Sequence, residues 1–166
     1  MNRFRRFIAT MALATATATA SAFAQTPNGG QPQSLPVVPI HIGAATLKTE
    51  IASTPQEGEI GLMYRNSMPD NNGMLFVLPL GPAQFWMKNT LIPLSIAFLD
   101  KNGTILELHD MKAMDTSITR SDSDQVAYAI EANLHWFDLN GIKPGVKIDP
   151  TPDAILKGTD AHAAAH

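Results

Sequence analysis

Trp86, Lys88, Asn89 and Thr90 put an aromatic face, a cation and two hydrogen-bonding side chains within one short stretch. Lys88 can bind an anion while Trp86 offers a stacking face to a sugar or another ring. In an extended chain Trp86, Lys88 and Thr90 share one side and Met87 and Asn89 the other. Arg65 is a second cation for the same groove, and Glu131 supplies an opposite charge. A purely structural reading competes: Trp86 fills the core, Lys88 pairs with Glu131, and Asn89 satisfies backbone groups near Pro93. A buried pair of that kind adds little stability, because desolvation opposes it.

Two other constellations carry chemistry. Ser95, His109 and Glu107 have the residue types of a nucleophile, a base and an orienting acid, as in a hydrolase. No Gly-x-Ser-x-Gly elbow accompanies Ser95, and Glu107 and His109 stand ~6.5–7 Å apart along one strand face. His109, Met111 and Met114 offer an imidazole and two thioethers, ligands that suit Cu(I). Methionine is also a common gap-filler of cores, and Met63, Met74 and Met87 lie in apolar phrases. No glycine-rich phosphate loop precedes a helix.

The elements that must position these residues are mostly strands. Short β-branched runs cover 37–42 and 47–51. Thr54-Pro55-Gln56-Glu57 starts a helix with a capping box and a proline in its first turn, running to about Arg65. After a loop with Pro69 and Asn71-Asn72-Gly73, apolar runs at 74–78 and 85–88 are too short for helices and read as strands. Asp100-Lys101-Asn102-Gly103 reads as a three-residue hairpin loop pairing Asp100 with Thr104. That register sets Ile96 against Leu108 and Phe98 against Leu106 on one apolar face, and Ser95 against His109 with Glu107 opposite Ala97 on the other. Alternation at 126–131 marks a half-buried strand. Asn133 caps a short helix over 134–140 that Gly141 ends, and 146–148 is a last strand. The fold class is mainly β: a compact antiparallel β-sandwich or open barrel with one or two short helices.

Several phrases occur together in order: Gly61-Leu62-Met63-Tyr64-Arg65, Gly73-Met74-Leu75-Phe76, Phe85-Trp86-Met87-Lys88-Asn89-Thr90, Ile92-Pro93-Leu94, Ala129-Ile130-Glu131-Ala132-Asn133 and Gly141-Ile142-Lys143-Pro144-Gly145. With these the chain resembles the domain of unknown function 192 family, often exported bacterial proteins, over about 47–148. The resemblance implies a small, mostly β fold and brings no established reaction, ligand or catalytic residue. Two positions depart from the family pattern: Ser95 replaces an Asp after Pro-Leu, and Leu134-His135 stands where a Gly is expected.

The chain of 166 residues has 12 Lys and Arg, 15 Asp and Glu, and no cysteine. One domain fits that length. Disulfide scaffolds, thiolate metal sites and thiol nucleophiles are excluded. A formal charge of −3 argues against a nucleic-acid partner. Arg3, Arg5 and Arg6, an uncharged stretch over 7–20 and Ala22-Phe23-Ala24 form a signal peptide, 1–24. Losing those three arginines takes the formal charge from −3 to −6. The domain organisation expected is a signal peptide, a flexible leader (25–34), a single β domain (35–149) and a flexible C-terminal tail (150–166). No second long apolar run offers a membrane span after cleavage. The sequence thus points to a periplasmic or secreted, non-catalytic binding module for a small molecule or an envelope protein. Its candidate site is Arg65, Trp86, Lys88, Asn89, Thr90 and Glu131, and no cofactor is called for. A Cu(I) protein and a hydrolase using Ser95 and His109 are the alternatives.

Overall fold

The computed structural model describes residues 27–163; the expected signal peptide lies outside them. The elements in chain order are β1 (Val37–Ile42), β2 (Ala45–Ala52), α1 (Pro55–Ile60), β3 (Asn72–Val77), β4 (Gln84–Phe85), β5 (Leu94–Leu99), β6 (Ile105–Met111), β7 (Thr119–Arg120), β8 (Tyr128–Asn133), α2 (Trp136–Leu139), β9 (Ile148–Asp149) and α3 (Pro152–Ala163). Seven strands form one curled sheet, a half-barrel, in the order β6-β5-β8-β3-β2-β1-β9, while β4 and β7 make a separate two-stranded ribbon. The mainly β expectation holds, in its open-barrel form. One pairing is not antiparallel: β2 and β3 run parallel, joined by the crossover that contains α1.

The sheet's ends meet at one rim. The Ile105 N–H donates to the Val146 carbonyl (2.9 Å) and the Ile148 N–H to the Gly103 carbonyl (3.0 Å), while Ile148 also pairs with Ile42. Every strand therefore sends a side chain into one cluster: Ile42, Leu47, Leu75, Ala97, Ile105, Ile130 and Ile148. A face on which all seven strands converge is the concave one. The alternate residues Met74, Phe76, Ile96, Phe98 and Ala129 form a second core on the convex face, under loops carrying Leu62, Met68 and Met87.

The hairpin register differs from the expected one. The turn itself is as read: the Asp100 N–H donates to the Thr104 carbonyl (2.9 Å), with Gly103 at φ +79°. Next to it a β-bulge shifts the pairing from Leu99↔Ile105 to Phe98↔Glu107, so Ile96 faces His109 and Ser95 faces Asp110. The expectation assumed one apolar face, but β5 is buried along both. The bulge serves both sides, sending Leu106 to the convex core and Leu108 to the concave one.

Three boundaries also move. The first helix stops at Ile60 because Gly61 takes a positive φ (+49°). The second is only Trp136–Leu139, entered through His135 in the left-handed conformation, and Asn133 caps nothing. Asn133 ends β8, and its amide instead donates to the carbonyls of Pro69 (2.9 Å) and its neighbours. From 152 the expected flexible tail is the helix α3. Its Ile155 is buried in the concave core, and Pro152 closes on the β5–β6 turn so tightly that a Cβ on Gly103 would meet Pro152 Cδ at 2.8 Å. The expected flexible leader is tied down at its end, where the Gln33 amide donates to the carbonyls of Glu57 (2.8 Å) and Gly61 (2.9 Å).

Candidate functional site

α1 is held by the capping box that the sequence announces. The Thr54 hydroxyl accepts from the Glu57 N–H, and the Glu57 carboxylate accepts from the N–H groups of Ser53 and Thr54 (both 2.9 Å). Burial raises the Glu57 pKa, but these hydrogen bonds outweigh it and leave the pKa lowered. So fixed, α1 and the turn after it stand off the convex face, and a cavity of about 550 Å³ opens between them and the sheet. Ile60 and Leu62 line one side, Phe76 and Leu78 at the end of β3 a second, and Phe85 and Trp86 a third. Phe85 is locked edge-on against Phe76, with ring centroids 5.2 Å apart.

Glu131 also lines this cavity. It is centred on β8, between Met74 of β3 and Ile96 of β5 in the strand ladders, and is 5% exposed. Among the described residues no group donates a hydrogen bond to its carboxyl or pairs with it. Burial alone therefore raises its pKa to about 8, so the acid is mostly neutral at pH 7. Its oxygens are not sealed in: the one sealed side-chain polar atom without a partner among the described residues is Arg65 Nε. Glu131 is thus an unpartnered carboxylic acid opening onto an apolar cavity.

Of the six predicted site residues the structure brings Glu131, Trp86 and Thr90 to the cavity. Arg65, Lys88 and Asn89 do not line it. Arg65 forms a two-pronged ion pair with Glu50 (Nη1–Oε1 2.6 Å, Nη2–Oε2 3.0 Å) and donates to the Gln33 carbonyl. Lys88 is exposed and lies over the Trp86 ring, Nζ 5.1 Å from its centroid, rather than pairing with Glu131. Trp86 is 44% exposed and does not fill the core. The 85–88 strand ends at Phe85 because the chain then turns, with Asn89 at φ +58° and its amide donating to Tyr64 Oη (3.0 Å). The alternation of sides over 86–90 is lost with that turn. Sequence reasoning missed the aromatic wall of Phe76 and Phe85, whose residues read simply as core. It also missed Glu50 as the partner of Arg65, although a Glu in the apolar run of β2 and a Glu in that of β8 are the same kind of signal.

The hydrolase arrangement does not form. Ser95 points with Ala97 and Leu99 to the concave side, while His109 sits on the convex side against Phe98 (centroids 5.6 Å). Glu107 takes the His109 ring (2.8 Å) together with the N–H groups of Asp122 and Ser123 (both 3.1 Å). Burial raises its pKa, and those bonds bring it below the usual value. Glu107 fastens a loop. Ser95 instead donates to Asp110 and accepts from the His135 N–H (2.8 Å), while Asp110 reaches His135 Nδ1 (3.0 Å). The two departures from the family pattern therefore touch each other, and the left-handed φ of +64° at His135 is where a glycine is at ease. The Cu(I) ligands are also apart in environment: Met111 is in the convex core, Met114 is 54% exposed, and His109 Nε2 is engaged by Glu107. Among the described residues no group of three His, Cys, Asp or Glu is placed to hold a metal, and no helix is long and apolar enough to cross a membrane.

Residues 38–150 match the model of DUF192, an uncharacterised family. Among curated proteins none matches. A crystal structure from Sinorhizobium meliloti 1021, provisionally described as a transcription regulator, is similar at 31% identity and TM-score 0.67, over 72% of this chain and 97% of that one. A protein of unknown function from Novosphingobium aromaticivorans DSM 12444 is similar at 29% identity and TM-score 0.65, over 83% of this chain and 99% of that one.

Proposed function

The chain belongs to the DUF192 family, and from that premise we propose that it is a non-catalytic binding module whose cavity beneath α1 takes a small, largely apolar molecule. One observation carries the reading: the cavity contains a buried carboxyl group, Glu131, for which the described residues provide no partner. Burying a polar group without a hydrogen bond costs free energy, and a ligand that supplies the bond offsets that cost on binding. The volume, about 550 Å³, falls in the range of small-molecule sites, ~300–1,000 Å³. Apolar walls with one polar group that orients the ligand are the usual composition of such sites.

The module works in the bacterial periplasm or outside the cell, directed there by residues 1–24. Expression of the full chain in a bacterium, followed by fractionation and native mass spectrometry, tests both parts. The expected species is an exported chain beginning at Gln25 and carrying a retained small molecule. An uncleaved chain in the cytoplasmic fraction contradicts export. A bare mass that added apolar compounds leave unchanged contradicts binding.

A further inference from the structure

We infer that the ligand of this cavity is an organic cation, an apolar body ending in a protonated amine or amidine, with Glu131 as its counter-ion. The inference rests on the reading of the cavity as a binding site. Its first support is the sign of the charges around that site. Among the described residues, the titratable side chains lining it are both acids, Glu131 inside and the exposed Glu59 on α1, and no Lys, Arg or His lines it. On either side of Glu131 in the sheet stand the uncharged Met74 and Ile96, and Thr90 faces the cavity from the 86–90 turn. The cations of adjoining segments are engaged by other groups, Arg65 by Glu50 and Lys88 by the Trp86 ring. An anionic head would meet carboxyl groups with no donor cation, so the site selects against it.

The second support is the isolation of Glu131. A carboxyl group that is buried, open to a cavity and without an internal partner gains most from a ligand carrying charge and several N–H donors. The aromatic walls add to this, since Phe76, Phe85 and Trp86 take the ligand's apolar body and their ring faces favour a nearby cation. Binding then has a proton balance. The amine arrives as its ammonium form and Glu131 is largely a neutral acid at neutral pH. Forming the ion pair breaks the Glu131 O–H bond and releases that proton to solvent, while the ligand keeps its own.

Calorimetric titration of the protein at pH 7 with 4-phenylbutylamine, 4-phenylbutan-1-ol and 4-phenylbutyrate tests this, because the three share a body and differ in the head. The amine is expected to bind at least tenfold more tightly than the alcohol, and the carboxylate more weakly than either. Titrations in buffers of different ionisation enthalpy are expected to show close to one proton released per amine bound. Glu131→Gln is expected to abolish both the amine preference and the proton release while keeping alcohol binding. Glu131→Met serves the same comparison if the Gln variant does not fold. If the alcohol binds as well as the amine, or the amine binds without proton release, the cation inference falls and the cavity reading stands. If none of the three binds, both fall.

Discussion

Glu50 and Glu131 stand in one cross-strand row on the convex face, with Met74 paired to both. The chain treats them in opposite ways. Glu50 receives two prongs from Arg65 and a hydrogen bond from the Leu35 N–H (2.9 Å). Through Arg65 and Gln33 that pair also ties the end of the leader to the body of the domain. Glu131, with comparable burial, receives nothing from the described residues. A buried acid is therefore not in itself the mark of a site. The mark is a buried acid that the fold leaves incomplete, and the cavity lies over that one.

The comparison breaks most visibly at the ion pair. Arg65→Ala leaves Glu50 buried without its counter-ion, and the expected loss is about 3–5 kcal/mol of unfolding free energy; urea denaturation at pH 7 measures it. Changing both partners together, Arg65→Met with Glu50→Gln, is expected to recover part of that loss. Glu131→Gln is expected to show none of it at pH 7.

The second prediction concerns pH. The Glu131 pKa is raised on folding from 4.5 to about 8, so the folded state holds the proton more tightly than the unfolded chain. Stability from this group is full below about pH 4.5 and is lost as pH rises toward 8, by up to about 1.4 kcal/mol per pH unit. Thermal melts of wild type and Glu131→Gln across pH 5 to 8 are expected to diverge, the wild type falling relative to the variant. Parallel curves contradict an unpartnered Glu131.

Smaller effects sharpen the contrast. Thr54→Ala removes one arm of the capping box that holds the cavity's wall, at an expected cost of about 1 kcal/mol in stability. Because α1 frames the cavity, ligand affinity is expected to fall with it, as calorimetry of the variant shows. Lys88→Ala removes an exposed cation–π contact, expected to contribute about 0.5 kcal/mol, and is expected to leave chemical denaturation nearly unchanged.

Much of the fold was legible where a local signal decides it. The capping box at Thr54, the Asp100–Gly103 turn and the run of short strands all follow from nearest-neighbour chemistry. The β-bulge was not, because its cause is the burial of β5 on both faces, a property of the whole sheet. The site was legible in part for a related reason. A charged residue in the Ala129-Ile130-Glu131-Ala132 run draws attention in any reading, as do Arg65 and Lys88. Which cation meets which acid depends on strand order: β2 lies beside β3, bringing Glu50 within reach of Arg65, and the turn after Phe85 carries Lys88 outward. The helix α3 reads as a tail because its core contacts, Ile155 with Leu156 beside it, are too few to reveal a buried face.

The claim on which the rest depends is that Glu131 is an unpartnered, neutral acid at the cavity. Carbon-13 NMR titration of the five glutamate side-chain carboxyls tests it directly in the ligand-free protein. The expected result is one carboxyl, assigned to Glu131 by its loss in Glu131→Gln, titrating near pH 8, with Glu57 and Glu107 titrating below the usual glutamate value. A Glu131 carboxyl that titrates with the others near pH 4.5 would contradict the account, since the group would then be solvated or already paired.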